Sequence, residues 1–169
     1  DNKNVSNSSV KRYFWRLLGS DLPEGKLMSL LSEQVRAALY GKMNVTGVTT
    51  LATGIYHGIA PDTATYPFIT FSRSAPGAVE RTFSSGAIIE DDLWMVKATT
   101  DAESAGTSSP QSKNEAILSA IETAIGGTLT LTSATALWVL RFSDIPELFE
   151  VVNDRKVWTN GMLLRVVSQ

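Results

Sequence analysis

The sequence predicts an α+β fold: an antiparallel or mixed β-sheet with two main helices packed on one face, a long hairpin arm and an N-terminal extension. Three observations lead there. Two segments, one starting at Met28 and one at Pro110, repeat apolar residues at helical spacing. Several other segments are short, apolar and bounded by Gly, Pro or Asp, as strands are. Their order is helix, three strands, helix, then two or three strands, which is not the regular strand-helix alternation of a doubly wound parallel sheet.

Residues 1–10 are polar and short, with little apolar area to offset the entropy of ordering them. Tyr13, Phe14, Trp15, Leu17 and Leu18 follow, crowded between Lys11, Arg12 and Arg16, and are expected to form one or two amphipathic helical turns. So short a helix is marginal in water, so its apolar residues need a partner surface on this chain or a neighbour. Residues 1–27 are assigned as an extension or arm, and 28–169 as a single domain. Ser29 is the expected cap of the first main helix, with Leu31, Val35, Ala38 and Leu39 on one face and Gly41 as its stop. Residues 45–51 read as a helical turn. A short strand with Ile55, Tyr56 and Ile59 follows, then a turn at Pro61, then a half-buried strand from Tyr66 to Arg73, with Pro67 near its start where a missing N–H is tolerated.

From Ser74 to Asp92 the composition shifts to Ser, Ala, Gly and Glu, the mark of a long hairpin arm; segments of this length tend to serve a partner. Leu93 to Thr99 returns as a strand, with Leu93, Met95 and Lys97 on one face and Trp94, Val96 and Ala98 on the other. A linker, 100–109, leads to the second main helix, Pro110 to Ile125, stopped by Gly126 and Gly127. Three strand candidates close the chain: 128–132, 137–143 and 157–167. The last places Trp158, Met162, Leu164 and Val166 on one side, with Gly161 a candidate bulge.

At 169 residues, 43% hydrophobic and 19% charged, the chain has the material for one core and is not the composition of a disordered polymer. It contains no Cys, so disulfides and thiolate metal sites are excluded and packing must hold the core. Fifteen Lys and Arg against 17 acidic residues leave a net charge of −2, no global attraction for nucleic acid or an anionic membrane. The balance is uneven. Residues 1–27 hold five cations and three acids, +2, whereas the other 142 residues hold ten and fourteen, −4. A basic arm docking on the acidic body of another copy would use that imbalance. No window approaches the roughly 20 apolar residues that span a bilayer, and the N-terminus lacks an apolar signal region, so no membrane partner is expected.

Reactive groups are few. His57 is the only histidine, and no Gly-x-Ser-x-Gly elbow accompanies it, so it reads as a turn residue at a strand end. Glu90, Asp91 and Asp92 lack the alternating spacing of a calcium loop and read as a solvated loop end. Glu147 and Glu150 would act as an acid/base pair only in a cleft that separates their pKa values; the simpler reading puts them on the wet side of a segment burying Leu148. No phosphate-cradling or dinucleotide glycine motif occurs. Trp94, Trp138 and Trp158 fall within strands and read as sheet packing, not base stacking. Catalytic, cofactor-binding and metal-binding residues are therefore all expected to be absent, and the protein is expected not to be an enzyme. The candidates for contact between subunits are Phe14 and Trp15 on the extension and Glu80, Arg81, Phe83, Ile88 and Ile89 on the arm.

Gln34 to Leu39, the stretch Gly54-Ile-Tyr-His-Gly-Ile-Ala-Pro61, Tyr66-Pro-Phe-Ile-Thr-Phe71, Glu80-Arg-Thr82, Leu93-Trp-Met-Val-Lys-Ala98, the Ala/Ile helix and Leu163-Leu-Arg-Val-Val167 together resemble tail completion, or tail terminator, proteins of long-tailed bacteriophages. The similarity covers about residues 28–167, and its most specific part is the progression Ile-Tyr, Ala-Pro, Tyr-Pro-Phe-Ile. It implies a virion protein assembled in the host cytoplasm. Its copies would form a ring, usually a hexamer, at the head-proximal end of the tail tube, stopping tube growth and joining tail to head. The implied partners are further copies of itself, the tail tube protein and a head–tail connector or neck protein, with DNA passing through the ring without sequence-specific binding. A neck component, or an interaction subunit of another assembly, is the alternative. Residues 1–27 precede the family-like start at Met28 and depart from the pattern.

Overall fold

Residues 24–75, 79–81, 88–132 and 136–169 are described by a computed structural model. In chain order they form α1 (Glu24–Met43), α2 (Thr46–Thr49), β1 (Gly54–His57), β2 (Phe68–Ala75), β3 (Val79–Arg81), β4 (Ile88–Asp101), α3 (Pro110–Ile125), β5 (Ala136–Val152) and β6 (Arg155–Ser168). The chain divides into two compact units, Asp1–Glu33 and Gln34–Gln169. The described part of the first is helical throughout. The second carries the sheet, the end of α1, and α2 and α3.

The sheet is mixed, as the α+β assignment allows, in the order β1-β2-β4-β6-β5, with β3 added on β4. β1 lies parallel to β2, and every other pairing is antiparallel. Phe71, Val96 and Met162 stand in register across β2, β4 and β6. With Ile69, Trp94, Ala98, Leu164 and Val166 they form one buried face. Val35, Leu39 and Met43 of α1, Val48 of α2 and Ile117, Ile121 and Ile125 of α3 join the same core. Each large side chain among them contributes about 1.5–3 kcal/mol by leaving water, so the three helices and the sheet hold one another in place. The alternate residues of β4, Asp91, Leu93, Met95 and Lys97, are only half-buried.

α3 has the bounds its sequence predicts. Ser109 accepts a hydrogen bond from Ser112 N at 3.2 Å, Pro110 fills the first turn, and Gly126 closes the helix at φ 58°. α1 departs from expectation at both ends: it begins at Glu24, and Gly41 lies inside it. A glycine costs a helix about 1 kcal/mol; the fully buried Met43 beyond it anchors the last turn. The expected strand at 128–132 is reduced to a single bridge at Thr130, and Ile59 falls outside β1. Linker positions 100 and 101 extend β4. Part of the expected arm is sheet: β3 pairs with the start of β4. β6 keeps register through Gly161, and the irregularity lies opposite it in β5, between Ile145 and Leu148. A Cβ at Gly161 would meet Val96 O at 2.7 Å, so glycine there allows β4 and β6 to approach.

Candidate interaction surface

The predicted contact residues are only partly gathered by the fold. Glu80 pairs with Ile89 and Arg81 with Ile88 across β3 and β4, which brings four of them into one strip of sheet. Phe14, Trp15 and Phe83 lie outside the described residues. His57 ends β1, exposed, with its ring edge-on to Phe71 at 5.3 Å. Among the described residues no group of three His, Cys, Asp or Glu is placed to hold a metal ion, and no helix is long and apolar enough to cross a membrane.

The run Glu90-Asp91-Asp92 is not the solvated loop end its composition suggests. It lies in β4, where pleating sends Glu90 and Asp92 to the core side at 1% and 2% exposure. Arg73 Nη2, on the neighbouring β2, donates to Glu90 Oε1 at 2.6 Å and to Asp92 Oδ1 at 2.5 Å. Burial, reinforced by the Asp92 charge, raises the Glu90 pKa, and Arg73 only partly opposes this. Asp91 faces the other way. The Arg165 guanidinium donates from Nε to both its oxygens, at 2.9 and 3.0 Å, and these bonds lower its pKa. Arg165 also lies over the Trp138 ring, 5.2 Å from its centre.

A second buried polar group ties α3 to the sheet. Asn114, fully buried, accepts from Thr100 Oγ1 at 2.5 Å and donates to Trp158 O at 2.9 Å and to Asn160 Oδ1 at 3.2 Å. These two networks pin β2 to β4 and α3 to the sheet, while the buried Arg73 Nε and Trp94 Nε1 have no hydrogen-bond partner among the described residues.

What the sequence does not signal is how far β5 runs: the expected strand at 137–143 continues to Val152. Leu148 is half-exposed, not buried as expected, and so are Leu140, Phe142, Phe149, Val151 and Val152. They account for six of the nine large hydrophobic side chains exposed among the described residues. Because Leu148 and Phe149 are consecutive, as are Val151 and Val152, both faces of the strand are apolar. β5 is also a sheet edge. Its beginning is covered, since Val139 N donates to Gly127 O at 3.0 Å. Three register shifts interrupt it, and Pro146 removes a donor near its middle. Glu147 accepts from Gln111 Nε2 at 3.2 Å and Glu150 is exposed, so neither sits in an enclosed cleft. The signal available in the sequence was the doubling of apolar residues at 148–149 and 151–152, which no half-buried strand of period two requires.

Near the tip of the β5–β6 hairpin, Val152, Asn153 and Arg155 face Pro61, Tyr66 and Phe68 across an open groove. Arg155 is held there by Asp101 Oδ2 at 3.1 Å. No family model and no curated protein matches the chain. Among solved structures, one chain described as "Virion of native gene transfer agent (GTA) particle" is similar at a TM-score of 0.52 and 17% identity, over 80% of this chain and 96% of that one. The likeness shows a shared fold over nearly all of that virion chain.

Proposed function

We propose that this protein is a structural component of a phage-like virion. In this reading it acts as a subunit of a ring, a hexamer, at the head-proximal end of the tail tube, where it ends tube growth and joins tail to head. The observation that carries the reading is the match to a virion chain over 96% of that chain's length. The Ile-Tyr, Ala-Pro, Tyr-Pro-Phe-Ile progression at 55–69 supports the tail terminator position, and the apolar edge of β5 supports assembly with other proteins. The partners are further copies of the chain, the tube protein and the connector, with DNA passing through without base-specific contact. No chemical step is assigned to any residue.

The test is a deletion of the gene combined with labelled electron microscopy of particles. The expected result is label at the head–tail junction in the wild type, and filled heads separated from tails of abnormal length in the deletion. Infectious particles of normal form without the protein would overturn the proposal. Label on the head side of the joint, with tails of normal length in the deletion, would favour a neck component instead.

A further inference from the structure

Among the described residues the sheet ends in β1 on one side and β5 on the other, and these two edges differ. β5 carries the long apolar edge, whose uncovered run Glu147–Val152 follows Pro146. β1, at the opposite edge, is four residues long, with Ile59 91% exposed just beyond it. Their charges also differ. Asp144, Glu147 and Glu150 lie along β5, whose one cation, Arg141, is tied to Glu122 at 2.8 Å and to Asp144 at 2.5 Å. The segment 43–61, which leads into and past β1, holds no lysine, arginine or carboxylate, so it meets the acidic β5 edge without the repulsion that a second β5 would bring.

We propose that the β5 edge, Glu147–Val152, receives β1 of a second copy of this chain as an added strand. The inference rests on reading the protein as a self-assembling virion component, and it names the surface and the partner. A flat partner would cover one face of β5, whereas an added strand and its flanking side chains cover both. That is what apolar residues on both faces call for. An exposed apolar edge of this length invites indiscriminate pairing, and Pro146 with the neighbouring bulge confines the open part to a short run matched to a short strand. The direction follows from the topology. β1 and β5 run in opposite senses within one sheet, so copies related by rotation about an axis along the strands meet with β5 antiparallel to the next β1. Two different surfaces then meet at every joint, and such a contact closes into a ring or runs on as a filament.

Because the chain has no cysteine, engineered pairs report the contact without background. Phe149→Cys, Ile59→Cys and the double variant, each checked for an unchanged melting temperature, are treated with a short bismaleimide. A ladder of multimers from the double variant, absent from both single variants, is the expected result. Dimers from Phe149→Cys alone mean that β5 pairs with β5, and overturn the proposal. Cross-linking of Phe149→Cys to Trp15→Cys in place of Ile59→Cys makes the N-terminal segment the occupant, and overturns it too. A multimeric mass by light scattering with no cross-link at any pair overturns the edge contact while leaving the virion reading intact. That reading falls only to the micrographs.

Discussion

Arg73 pairs with two buried carboxylates, Glu90 and Asp92. Its own side chain is 27% exposed, so the ion pairs are partly screened, yet Glu90 and Asp92 reach no water of their own. Removing one partner of a buried pair leaves the other's desolvation unopposed. Arg73→Ala is therefore expected to cost about 2–3 kcal/mol at neutral pH, less than a fully buried pair would. That corresponds to a drop of about 5–10 °C in melting temperature for a chain of this size. The loss should shrink in acid, where a protonated carboxyl needs no counter-ion, and melting curves at pH 4.5 and 7.5 check it. The pH dependence of the wild type has two limbs. The Glu90 pKa is raised above its ordinary value of 4.5, so the folded state binds the proton more tightly and stability falls as pH rises from 4.5 through the folded value. The Asp91 pKa is lowered below 3.8, so its stabilisation is present above that value and is lost as pH falls through the folded one. Glu90→Gln should flatten the upper limb and Asp91→Asn the lower one, as read by urea unfolding across pH 2–8. An upper limb unchanged in Glu90→Gln would show that another group carries it.

At the scale of elements, the turn between β5 and β6 sets the register of the longest pairing in the sheet. Asn153 and Asp154 occupy it at φ 51° and 63°, a two-residue turn whose twist suits the strands it joins. Asp154→Gly removes a left-handed non-glycine residue and should leave stability unchanged or raise it by about 0.5–1 kcal/mol, while Asn153→Val should lower it by about 1–2 kcal/mol. Thermal melts of both variants check this, and a valine that costs nothing would mean that the turn does not set the register. The hairpin also shows where the sequence was legible. α3 could be read to the residue because Ser109, Pro110 and Gly126 are local signals acting within one turn. The middle of β4 and of β6 could be read because each buries one side there; Trp158 departs from its expected face, being half-buried against Phe149, while Val157 and Val167, one residue out of step, are buried. Of β5 only the first part, 137–143, could be read, since three bulges break its period and both sides of its later part are apolar. Glu90 and Asp92 were misread for a related reason: their partner, Arg73, lies 17 and 19 residues away, and only strand pairing brings it near. Of the contact candidates, Glu80, Arg81, Ile88 and Ile89 meet on the adjacent strands β3 and β4, which strand pairing and not local sequence brings about.

At the scale of the whole molecule, stability and assembly draw on different residues. The core that α1, α2, α3 and the sheet share contains none of the exposed side chains of β5. Substitutions at exposed positions change folding stability by about 0.5 kcal/mol or less. The same positions lose apolar area when a partner strand covers them, so their contribution appears only on association. Replacing Leu148 and Phe149 together with lysine separates the two quantities. Lysine is a common means of keeping a sheet edge unpaired. The double lysine variant, which also gives up the contact of Phe149 with the Trp158 ring, is expected to melt within about 4 °C of the wild type. It should also run as a monomer in light scattering at concentrations where the wild type is multimeric. Added salt should weaken the wild-type assembly only modestly, because a few exposed charges act through water while the apolar contact is insensitive to screening. A variant that unfolds would mean that the edge belongs to the core, and one that still assembles would mean that the copies meet at another surface.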